Sequence, residues 1–185
     1  MSIQKEVKRV IVTEYYDDGY GYSFRYVITV AKKGDEYYLE DVDGFTSEEE
    51  VEEELDECYS MLYEAVKSIL TKPVVSKLLR PFKRFLPLRV RFYLGLDDDL
   101  IDGFIAYLIC GRGAVLSEER EALFEEAYGK LYKMECRGKP IARKINHLID
   151  EIIYLNAIKE LLYYWGNADE EVLKSEFEKG IEWNW

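Results

Sequence analysis

A change of hydrophobic period part-way along the chain constrains its fold more than any other feature. Tyr22, Phe24, Tyr26, Ile28 and Val30 alternate with Ser23, Arg25 and Thr29, the period of two that gives a strand one buried face. Beyond residue 47 the period lengthens: Val51, Leu55, Cys58, Leu62, Val66 and Ile69 recur at three- and four-residue steps, one apolar helical stripe. Segments 5–16 and 36–42 share the β-branched and aromatic content of 22–32, with Asp17-Asp18-Gly19 and Lys33-Gly34-Asp35 at the expected hairpin turns. Strands first and helices afterwards predict an α+β fold, an N-terminal antiparallel β-meander of three to four strands packed against four to five α-helices. At 185 residues the chain is long enough for a single domain. Its parts are a meander over 1–45, an acidic amphipathic helix over 47–72, a basic segment and strand over 73–96, and a helical part over 97–185.

Local signals refine this division. Ser47 with Glu50 forms a capping box, and Pro73 ends the helix that follows. Residues 74–87 keep helical spacing, but Pro81 and Pro87 limit them to one or two short turns. In LRVRFYL, Leu88, Val90, Phe92 and Leu94 oppose Arg89, Arg91 and Tyr93, so 88–94 reads as a fourth strand. A helix from Asp97 or Asp98 carries Leu100, Ile101, Phe104, Ile105 and Leu108, and Cys110-Gly-Arg-Gly113 reads as a loop. Ser117 caps a helix whose stripe is Leu123, Phe124, Ala127, Tyr128, Leu131 and Tyr132. A long helix after Pro140 and a short one using Val172, Leu173 and Phe177 complete the chain.

Several chemistries lack their residues. With 48% hydrophobic and 15% aromatic content the chain can bury a core without disulfides or metal. Cys58, Cys110 and Cys136 are odd in number and form no CxxC pair, and the single histidine, His147, shares a polar helix side with Lys144 and Glu151. A zinc hydrolase is therefore disfavoured, and Cys110, ending an apolar run, reads as a small core residue. No GxSxG, HExxH, GxGxxG or Walker motif occurs, and no catalytic residue or cofactor is assigned. Charges in MSIQKEVKRV argue against a signal peptide, and no apolar run approaches the roughly 20 residues of a membrane span. The chain reads as soluble and cytoplasmic. Only five Asn and Gln residues beside abundant Glu and Lys match the composition of hyperthermophile proteins.

Charge is strongly segregated. The net −12 divides into −14 over residues 34–64, +8 over 65–96, and −6 over the remainder. Acids in a first helical turn complement the helix dipole, but a run through Glu48, Glu49, Glu52, Glu53 and Asp56 extends past that turn. These five form a candidate face for a basic partner. The basic segment has three readings. It neutralises the acidic helix beside it; it contacts nucleic acid through Lys77, Arg80, Lys83, Arg84, Arg89, Arg91 and Tyr93; or it lies on a membrane surface, a reading that Pro81 weakens. The overall negative charge opposes general polyanion binding. Seven of the sixteen tyrosines fall within 15–38, where exposed ones would add a partner face or support a homodimer.

Asp98-Asp99-Leu-Ile-Asp102 places carboxylates at i and i+4 on one helix face. The spacing resembles the DDxxD motif of prenyl-diphosphate and terpene synthases, and the resemblance implies a Mg²⁺ site at Asp98, Asp99 and Asp102. It covers five residues, and the second acidic motif of those families has no clear counterpart here. The favoured expectation is a non-enzymatic interaction or regulatory protein, such as an inhibitor from a thermophilic virus or mobile element. It would engage a basic, nucleic-acid-binding partner through an acidic, tyrosine-rich surface. Nucleic-acid binding by 72–91 is the first alternative and a Mg²⁺-dependent enzyme the second.

Overall fold

A computed structural model of the chain describes residues 5–16, 22–70, 73–114 and 117–182. The fold is α+β: an N-terminal antiparallel sheet followed by helices. Strands β1 (Lys5–Tyr16), β2 (Tyr22–Lys33) and β3 (Glu36–Val42) form the meander, and a two-residue strand β4 (Ile181–Glu182) joins its edge in the order β3-β2-β1-β4. The helices are α1 (Glu48–Leu70), α2 (Pro73–Leu79), α3 (Leu88–Tyr93), α4 (Asp98–Cys110), α5 (Glu118–Cys136), α6 (Pro140–Gly166) and α7 (Glu170–Lys179). Two 3-10 turns, Arg80–Phe85 and Gly111–Ala114, lie between them. Seven α-helices thus exceed the four to five expected, because the short pieces around the prolines count separately. Two compact units divide the chain, one of Met1–Glu54 with Leu155–Trp185 and one of Leu55–Tyr154.

In the first unit β1 and β2 pair from Lys5↔Lys33 to Tyr16↔Tyr22. Gly34, at φ +69, supplies the left-handed residue that the two-residue turn to β3 requires. The Asp17-Asp18-Gly19 turn lies outside the described residues. Tyr26, Ile28 and Val30 are buried as the alternation requires, but Thr29 and Ala31 are buried too, so this stretch of β2 is covered on both faces. A bulge between Thr29 and Val30 shifts the register toward β3. Trp165 of α6 donates its indole N–H to the Tyr26 hydroxyl at 3.0 Å, and Tyr26 donates to Glu14 at 2.7 Å. Gly180 permits β4 to reach β1: a Cβ there would stand 2.8 Å from the Lys8 Cβ and 3.2 Å from the Arg9 carbonyl oxygen. Leu173 and Phe177 of α7 are buried as expected, whereas Val172 is exposed.

The second unit is organised by aromatic rings. Phe92, Phe104 and Phe124 are buried with centroid separations of 5.4–5.6 Å, and Gly103 leaves room for the Phe124 ring. The segment 88–94 is a helix, not the expected fourth strand. Pro87 stands at its N-cap, its carbonyl accepts from Arg91 N–H, and Val90 O accepts from Leu94 N–H. Over seven residues alternation is a weak guide, and here one anchor, Phe92, decides the geometry. The α5 stripe is narrower than expected, since Tyr128 and Tyr132 are exposed and only Leu123, Phe124, Ala127 and Leu131 are buried. Cys110 is exposed, not a core residue, and the loop after it is the 3-10 turn. Ser117 caps α5 by accepting from Arg120 N–H. Phe92→Ala should lower unfolding free energy by about 3–5 kcal/mol through the cavity left among the rings. Urea denaturation followed by circular dichroism measures that loss.

Candidate functional site

The acidic helix is built as its sequence requires. Ser47 accepts from Glu50 N–H at 3.2 Å, and the Glu50 carboxylate reaches back to Thr46, taking its N–H at 2.8 Å and its hydroxyl at 3.1 Å. Val51, Leu55, Cys58, Leu62 and Val66 are buried, which turns Glu48, Glu49, Glu52, Glu53 and Asp56 to solvent. Glu52 pairs with Lys159 of α6. Glu48, Glu49, Glu53 and Asp56 make no ion pair with any described residue.

The bases are distributed differently. Arg91 donates to the buried Asp97 carboxylate at 2.8 Å, and Lys83 stands 3.6 Å from the same group. Arg89 grips Glu126 through both terminal nitrogens, one at 2.6 Å, while Tyr93 donates to Glu126 at 3.1 Å. Lys130 pairs with Glu126 at 2.8 Å and lies 3.9 Å from the centre of the Tyr93 ring. Hydrogen bonds from Lys130 and then Arg89 hold the Glu126 carboxyl down at about 2. The acids that meet the basic segment thus lie downstream of it, at Asp97, Asp98 and Glu126. Lys77, Arg80 and Arg84 are exposed and make no ion pair with described residues. The structure therefore does not place Arg89, Arg91 and Tyr93 on one exposed strand face.

The three aspartates of the DDxxD spacing open α4. Asp98 accepts from the Tyr63 hydroxyl at 2.6 Å and lies 4.0 Å from Lys67. Burial, then Asp98 and Asp99, raise the Asp102 carboxyl above its ordinary range, and burial with the Asp98 contact pushes the Tyr63 phenol up. Among the described residues no three His, Cys, Asp or Glu side chains converge as cation ligands.

One acidic and aromatic cleft escaped the sequence reading. In the first unit Glu36, Tyr37, Tyr38, Trp165 and Glu170 line a cavity of about 420 Å³, with Glu170 accepting from Tyr37 N–H at 3.2 Å. Its residues come from β3, α6 and α7, and no local spacing joins them. Exposed tyrosines are Tyr38, Tyr59, Tyr128, Tyr132, Tyr163 and Tyr164, five of them on helices and one on the sheet. Tyr15, Tyr16, Tyr20 and Tyr22 lie outside the residues whose side chains are described. No family model, curated protein or solved structure matches the chain.

The depressed Glu126 carboxyl fixes the sign of one pH effect. It stabilises the fold fully above its ordinary value of 4.5, and that contribution is lost as pH falls toward about 2. Wild type should accordingly exceed Glu126→Gln in thermal stability at pH 6, with the difference shrinking steadily between pH 4.5 and 2. Melting curves across that range test it, and a pH-independent difference would remove the ionic contribution.

Proposed function

We propose that the chain is a non-enzymatic interaction protein of the cell interior that holds a basic protein partner through an acidic, aromatic surface. The outer face of α1 carries this reading: Glu52 pairs with Lys159, but Glu48, Glu49, Glu53 and Asp56 are exposed and make no ion pair with described residues, while four of the eight bases in 65–96 are spent on acids within the fold. Like charges at helical spacing repel by a few tenths of a kcal/mol per pair. A row of them costs stability in isolation and recovers it against a cationic surface, where complementary charge also speeds encounter. The Glu36, Tyr37, Tyr38 and Glu170 cleft adds carboxylates and rings, the pairing that accepts a lysine or arginine side chain. The nucleic-acid reading is less supported, because Arg89, Arg91 and Tyr93 are occupied within the fold.

Charge reversal at Glu48, Glu49, Glu53 and Asp56 tests the proposal without touching a buried residue. Affinity capture from the native host should recover a basic protein with wild type. Its affinity should fall at least about tenfold with the Glu48→Lys, Glu49→Lys, Glu53→Lys, Asp56→Lys variant and decline with added salt. Equal binding by both proteins would refute this use of α1.

A further inference from the structure

Helix α2 is inside out. Ser76 is its buried side chain and donates to the Leu94 carbonyl at 2.6 Å, whereas Val74, Val75 and Leu78 point to solvent at 74%, 40% and 68% exposure. The 3-10 turn that follows buries nothing, and Phe82 and Phe85 stand 57% and 86% exposed. Pro81 does not break this run, because it occupies the first turn of the 3-10 helix, where a missing N–H is tolerated. Lys77, Arg80 and Arg84 lie among these apolar side chains without acidic partners among the described residues, and no acid occurs anywhere in 65–96. Five exposed apolar side chains within the twelve residues 74–85 are the kind of feature that marks a contact surface.

We propose that the segment from Val74 to Phe85 docks on the surface of an anionic lipid bilayer. The mixture of groups selects this occupant. Three guanidinium and ammonium groups match anionic headgroups, while two phenylalanines, a leucine and two valines match the acyl boundary just beneath them. A nucleic acid would satisfy the cations but leave the aliphatic side chains in water. Helix α1 of a second copy would offer carboxylates but, among its described residues, only Tyr59 and Met61 as large exposed apolar side chains, against five on this segment. Net charge does not forbid the contact, since repulsion between exposed charges is screened beyond about 8–10 Å at physiological salt. The mode is peripheral: among the described residues no helix is long and apolar enough to cross a membrane.

Co-sedimentation of the full chain with vesicles tests this. Wild type should bind phosphatidylglycerol-rich vesicles, bind pure phosphatidylcholine vesicles weakly, and weaken with salt. Phe82→Ser with Phe85→Ser, and separately Lys77→Glu with Arg80→Glu and Arg84→Glu, should each reduce binding at least about tenfold while keeping the wild-type circular dichroism spectrum, since all five side chains are exposed. Absence of binding to anionic vesicles at low salt would overturn the proposal. So would binding that the phenylalanine variant leaves unchanged, which would indicate a general polyanion site. A wild-type dimer in analytical ultracentrifugation that the same variant converts to monomer would assign the surface to a second copy instead.

Discussion

The carboxylate of Asp97 anchors the charge organisation of the second unit. It is the first acid after a run of eight bases, it is buried, and it receives Arg91 and Lys83 together. Although it stands at the N-cap of α4, its side chain caps no backbone N–H and faces the two cations instead. A buried carboxylate with two cations at hand is sustained only while they remain, and removing one partner from such a pair typically costs 3–5 kcal/mol. Asp97 therefore ties the 3-10 turn, α3 and the start of α4 into one arrangement.

This anchoring determines what is left over. Because Asp97, Asp98 and Glu126 draw the bases from the downstream side, the neighbouring acidic block receives little from them. In the acidic segment Glu40 and Glu52 are met by Lys5 and Lys159 from elsewhere in the chain, and among the described residues of the +8 segment Lys77, Arg80 and Arg84 make no ion pair. Two surfaces of opposite sign, one dominated by carboxylates and one mixing cations with five exposed apolar side chains, suit different kinds of partner.

Much of the architecture could be read from periodicity. The β2 alternation, the α1 stripe and the caps at Ser47 and Ser117 are local signals, and each is realised locally. The misreading of 88–94 has a definite physical source. Leu88, Val90, Phe92 and Leu94 satisfy both a short strand and a short helix, and the choice falls to Pro87 and to the ring partners of Phe92, which lie 12 and 32 residues away in sequence at Phe104 and Phe124. Charge segregation was visible in the sequence, but the pairing was not, since Arg89 meets Glu126 across 37 residues. The cleft around Tyr37 and Trp165 was equally hidden because its walls come from opposite ends of the chain.

Ser76 carries an evolutionary implication. Turning α2 by half a revolution would bury Val74 and Leu78 and return the serine to water, yet the hydrogen bond to Leu94 holds the opposite setting. Burial of such side chains ordinarily stabilises by about 1.5–3 kcal/mol each, so the outward setting forgoes that gain. Replacement of these residues by serine or lysine would cost the folded chain almost nothing. Persistence of valine, leucine and phenylalanine at these positions among descendants of this chain would accordingly record selection for contact, since selection for folding alone has no reason to retain them.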